Sequence, residues 1–160
     1  MGKSQFSQSF KTTNYDKSLE YREKIHILID QNATLFGKGE LLDLRVNEGL
    51  QTLLCLQLRA LNDFLLPTDA SVSLGKFPDD PSGVRMGIEL AYQTISAGEE
   101  YLALLEANII PENQGLETSR AVIYNRLGQC HRSLAFLHQS AGEWLSSLEA
   151  NLKAYSNHEK

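Results

Sequence analysis

The four histidines are the side chains of this sequence best suited to exchange protons near neutral pH or to bind a metal ion. They are His26, His131, His138 and His158. His131 and His138 are seven positions apart, a spacing that can place both on one face of a helix. No carboxylate completes a Glu-x-x-His pattern with them, and the sequence predicts no metal site and no bound cofactor.

The segment Arg126-Leu-Gly-Gln-Cys-His131 contains a second candidate for chemistry. It resembles the R-x4-H element of HEPN-type ribonucleases, which are helical bundles of comparable size. The resemblance implies that Arg126 stabilises phosphate charge while His131 exchanges a proton with an RNA 2′-hydroxyl or leaving oxygen. However, Leu127 stands where the family often has a polar residue, and two side chains five positions apart do not lie on one line along a helix. We therefore assign both residues structural or surface roles and keep a HEPN-like nuclease as the enzymatic alternative.

Composition and charge describe an ordinary globular chain. The 160 residues are 42% hydrophobic and 22% charged, and the net charge of −5 disfavours nucleic acid as a partner. Cys55 and Cys130 lack metal-ligand spacing, and we predict two buried free thiols in a reducing cytoplasm. The N-terminus lacks the apolar core of a signal peptide, and charges interrupt every apolar run too often for a membrane span. The expected location is therefore cytoplasmic.

The leucine-dense run from Leu41 to Leu66 predicts the central helix of the fold. Its apolar residues cover a wide face, on which we expect Leu54 and Leu61 to be buried. Gln57 projects into the same face, and a buried amide needs a hydrogen-bond partner. It can fix the register of the helix or face another subunit, and the second possibility leaves a homodimer open.

The remaining apolar periodicity predicts four more helices in a single domain. We expect residues 1–13 to be a flexible tail and residues 14–157 to be one helical domain. The predicted helices begin near residues 14, 41, 81, 118 and 141. Asp80-Pro81 favours the third start, and Ser140-Ala-Gly-Glu143 has the capping-box pattern for the fifth. The predicted fold class is all-α, an antiparallel bundle of about five helices.

The last helical pair resembles a single tetratricopeptide repeat over residues 121–154. The first helix of that pair carries the aromatic-x2-Leu-Gly-x2-Tyr spacing, with histidine in the last position, at Tyr124, Leu127, Gly128 and His131. The second helix carries the small-x3-aromatic-x2-small-Leu spacing at Ser140, Trp144, Ser147 and Leu148. Leu152 replaces the terminal proline, and no second repeat is complete. The resemblance implies a repeat-like C-terminal hairpin that binds protein, with its aromatic residues between the two helices.

Exposed apolar groups outside the predicted core suggest where a partner could bind. The candidate partner-binding residues are Phe6, Phe10, Val72, Leu74, Phe77 and Tyr124. Phe6 and Phe10 lie four positions apart in the tail. The residues of the 67–80 loop could instead pin that loop over the end of the bundle. The sequence favours a non-enzymatic protein–protein interaction module, an adaptor or a small subunit of an assembly. A HEPN-like nuclease and a helical bundle that binds a small apolar ligand are the alternatives.

Overall fold

The computed structural model describes residues 2–65, 83–110 and 120–160, with side chains in 17–59, 83–110 and 120–160. These described ranges contain five α-helices, one 3-10 turn and no strand. The helices are α1 (Gly2–Gln31), α2 (Lys38–Leu65), α3 (Val84–Glu106), α4 (Arg120–Ser140) and α5 (Trp144–His158), and the 3-10 turn is Ala33–Leu35. The predicted all-α class is confirmed.

Helix α2 has the central place that its leucines predict, because it packs against α1, α3 and α4. Helix α4 lies between α3 and α5, since it packs against both. The core comes from several helices, with fully or almost fully buried side chains at Leu53, Leu105, Ile123 and Leu137. The buried face of α2 is narrower than predicted. Leu54 is 37% exposed, so the expectation of its burial is wrong, while the side chain of Leu61 lies outside the described residues.

Gln57 has the hydrogen-bond partner that its predicted position requires. The Ser133 hydroxyl of α4 donates to its side-chain carbonyl oxygen over 2.9 Å. This bond joins two neighbouring helices at one level, which supports a role in helix register. Close packing joins α2 to α3 as well, where Gly49 faces Thr94 without space for a further carbon.

Two helix starts differ from the sequence-based prediction. Helix α1 begins at Gly2 rather than near residue 14, consistent with the absence of proline and glycine from residues 3–31. Helix α5 begins at Trp144 rather than Ala141, after Gly142 with φ 78°. The predicted capping box is not formed. The Ser140 hydroxyl donates to the Phe136 carbonyl within α4. Asp80-Pro81 lies outside the described residues.

Candidate functional site

A groove of about 590 Å³ runs between α3, α4 and α5, and we call it the three-helix groove. Since α4 lies between the other two helices, its side chains form the floor, at Tyr124, Leu127, His131 and Leu134. The α3 side includes Tyr92, Ile95, Glu99, Leu102 and Glu106. The α5 side includes Ser146, Glu149, Lys153, Asn157 and Lys160. The groove therefore has an apolar and aromatic floor between walls that carry charges of both signs.

Tyr124 is the predicted partner-binding residue that the structure places at this site. Its ring is partly buried, and the Lys160 ammonium group lies 5.3 Å from the ring centroid. This distance is within the range of a cation–π contact. The other predicted partner-binding positions, Phe6, Phe10, Val72, Leu74 and Phe77, have side chains outside the described residues.

His131 is buried in the floor of the groove, and its Nδ1 atom has no hydrogen-bond partner among the described residues. Burial lowers the pKa of the imidazole below its usual value, and the nearby Lys153 charge lowers it further. Both effects favour the neutral form of the ring. A neutral ring here contributes volume to the floor of the groove.

Arg126 and His131 do not form a joint site. Arg126 donates to the Asp43 carboxylate of α2 over 2.8 Å, and its side chain is only 12% exposed. It is absent from the lining of the three-helix groove, where His131 lies. The reason is helical geometry, because residues five positions apart point about 140° away from each other. In this arrangement the arginine stabilises contact between α2 and α4 and does not face the histidine.

The histidines also occupy separate surroundings. His26 lies 3.0 Å from the Thr52 hydroxyl, and His158 lies 3.2 Å from Arg132. His138 Nε2 lies 3.2 Å from the Tyr92 hydroxyl. Within the part of the chain that the structure describes, no three His, Cys, Asp or Glu side chains come together as metal ligands.

Helix α5 packs on the bundle through small side chains. Ser147, Ala150 and Ala154 are buried. The large apolar side chains lie on the opposite side, and we call them the outer face of α5. Their exposed fractions are 65% at Trp144, 73% at Leu145, 56% at Leu148, 63% at Leu152 and 66% at Tyr155. The expectation that Trp144 fills the space between the last two helices is therefore wrong, and Leu148 also faces outward.

Helices α4 and α5 approach each other closely near the end of α5. A Cβ atom on Gly128 would lie 2.7 Å from the imidazole ring of His158, so the end of α5 already occupies the space beside that glycine. Small residues on the inner side of α5 allow such close contact, whereas a tryptophan there would separate the helices. The sequence contains this signal, since serine and alanine lie on one side of α5 and leucine on the other.

Among the described residues, no helix combines the length and hydropathy needed to cross a membrane. Comparison of the chain with protein-family models, curated proteins and solved structures found no match.

Proposed function

We propose that this protein is a non-enzymatic protein–protein interaction module, acting as an adaptor or as a small subunit of a larger assembly. The observation that carries the proposal is the outer face of α5. Its five side chains are each more than half exposed and together present an apolar surface on the order of 600 Å², at the upper end of the 300–600 Å² typical of the largest apolar patch on a monomer. Such a surface is stabilised when a partner removes it from water.

The three-helix groove is a second surface lined by α5, and unlike the outer face it carries charged side chains. Glu149 and Lys153 lie on its α5 side, and Glu99 and Glu106 on its α3 side. Sites for small apolar ligands are lined mainly by hydrophobic groups. The charges favour a peptide segment over a small apolar molecule. The resemblance of the hairpin to a tetratricopeptide repeat implies the same kind of ligand.

A cytoplasmic location belongs to this proposal. Cys55 and Cys130 are both free cysteines, and free thiols are usual in a reducing compartment.

The proposal is tested by affinity capture from the source cell, with quantitative mass spectrometry of the proteins recovered. Leu148→Glu places a charge in the middle of the outer face. Leu35→Glu is the matched control, because Leu35 is a leucine of the 3-10 turn that is 77% exposed. We expect Leu148→Glu to lower recovery of a specific partner about tenfold or more, the effect of losing one central contact. Leu35→Glu should leave it unchanged.

Circular dichroism spectra and melting temperatures of both variants control for folding. Equal recovery with Leu148→Glu and wild type would contradict the assignment of the binding surface to α5. Tyr124→Ala, measured in the same experiment, reports separately on the three-helix groove, since Tyr124 lies in its floor.

A further inference from the structure

The exposed residues of α5 have the spacing of a helix-pairing seam. Leu145, Leu148, Leu152 and Tyr155 follow one another at steps of three, four and three. This is the spacing of the a and d positions that meet in paired helices. All four are more than half exposed, so no element among the described residues covers the seam. The inner side of α5 already packs on α4, so the helix that carries the seam is folded in the single chain.

The seam is complementary to itself when two copies of α5 run in opposite directions. With a two-fold axis near the level of Ala150, Leu148 of one copy faces Leu152 of the other. Leu145 then faces Tyr155, and Trp144 lies beside the same Tyr155. Each end of the pair thus has an aromatic cluster, and leucines fill the centre. The antiparallel arrangement also places the helix dipoles in their favourable relative orientation.

The charges and the area agree with this pairing. Between Trp144 and Tyr155 the outer face contains no charged side chain, because Glu149 and Lys153 point toward the three-helix groove. Pairing two copies therefore buries no ion among the five side chains of the outer face. The apolar surface of the five side chains, on the order of 600 Å², can supply most of the about 800 Å² that each partner buries in a standard interface.

We propose that a second copy of this chain covers the outer face of α5, through antiparallel pairing of the two α5 helices. This inference rests on the proposed function and names the partner at the same surface. Because α5 is already folded against α4, pairing does not have to order the helix.

The first experiment measures the mass of the intact protein in solution by light scattering during gel filtration. Interfaces of this area bind with dissociation constants that are micromolar or tighter, so measurement at tens of micromolar is sufficient. We expect a dimer for the wild type and for Leu35→Glu, and a monomer for Leu148→Glu. A monomeric wild type overturns the inference, and so does a dimer that Leu148→Glu leaves intact.

The second experiment tests the direction of pairing by disulfide formation with diamide as the oxidant. Cys55→Ser removes the partly exposed native thiol, while Cys130 is buried. In this background Leu145→Cys protein is mixed with Tyr155→Cys protein. The antiparallel pair brings these two positions together and separates the two copies of position 145 by roughly 15 Å along the axis. Disulfides need Cα atoms within about 7 Å.

We therefore expect mixed disulfide dimers of the two variants and no cross-linked dimer from Leu145→Cys alone. Dimers of Leu145→Cys with itself, at the expense of the mixed product, would show parallel pairing and overturn the inference. If the wild type is a monomer and captures a different protein in a way that depends on Leu148, the proposed pairing of two copies is wrong and the proposed interaction function is supported. A dimer and a captured partner that are both insensitive to Leu148→Glu would overturn both proposals.

Discussion

The contact between α2 and α3 at Gly49 provides a quantitative test of the packing. A Cβ atom on Gly49 would lie 2.8 Å from Cγ2 and 3.0 Å from Cβ of Thr94. The Cβ atom of Thr94 moves only with its backbone. The Thr94 side chain is also buried, and its hydroxyl donates to the Leu90 carbonyl over 2.8 Å. An added methyl group at Gly49 therefore has to push the two helices apart.

Two opposing effects set the size of the change in Gly49→Ala. Overpacking of a core costs about 1–3 kcal/mol, and we expect the upper part of that range, about 2–3 kcal/mol, because the Thr94 Cβ atom cannot move away without its backbone. Replacing glycine by alanine inside a helix stabilises the folded protein by up to about 1 kcal/mol. We expect the free energy of unfolding to fall by about 1–2 kcal/mol. Gly39→Ala is the control in the same helix, because its nearest new contact is the movable end of the Ile110 side chain at 3.3 Å. Its expected effect is neutral or stabilising.

Urea unfolding followed by far-ultraviolet circular dichroism gives these free energies. The double variant Gly49→Ala/Thr94→Ala adds a second criterion, because shortening Thr94 removes the Cγ2 contact. We expect its loss of stability to be smaller than the sum of the two single losses by about 0.5 kcal/mol or more. A Gly49→Ala protein as stable as the wild type would refute the close approach of α2 and α3 at this position.

Three further predictions concern thiol reactivity, acid stability and the ion pair between α2 and α4. Burial raises the pKa of the Cys130 thiol to about 12, so a maleimide should label Cys55 in the folded protein and Cys130 only after unfolding, as read by mass spectrometry. Burial lowers the pKa of His131 in the folded protein below 6.5, so below pH 6.5 the unfolded chain binds more protons than the folded one. The free energy of unfolding should therefore decrease as the pH is lowered through this range. In urea titrations at several pH values, His131→Gln should lose part of this acid sensitivity. An unchanged pH dependence would contradict a lowered pKa of His131. Asp43→Asn should cost about 1–3 kcal/mol because Arg126 loses a carboxylate at 2.8 Å, and a double-variant cycle with Arg126→Met should show coupling between the two positions.

The periodicity of apolar residues was sufficient to predict the helical class and the position of α2. Helix formation depends on neighbours three and four positions away, which the sequence displays directly. The same local reasoning located Gln57 on a face that meets another helix, where it accepts a hydrogen bond from Ser133. It was less accurate at helix ends. Ser140 and Glu143 match a capping box, but Glu143 instead accepts a hydrogen bond from Arg85 over 2.6 Å.

The tertiary structure decided which side of α5 packs and which residues meet in the groove. The apolar periodicity of that helix favours the leucine side as the packed side, whereas the structure buries the side with serine and alanine. The small side chains of Ser147, Ala150 and Ala154 pack inward and the larger residues remain exposed. Likewise, spacing alone did not show that Arg126 pairs with α2, because its partner Asp43 is distant in the sequence. Helix phase and long-range ion pairs depend on the shape and charge of neighbouring helices, which come together only when the chain folds.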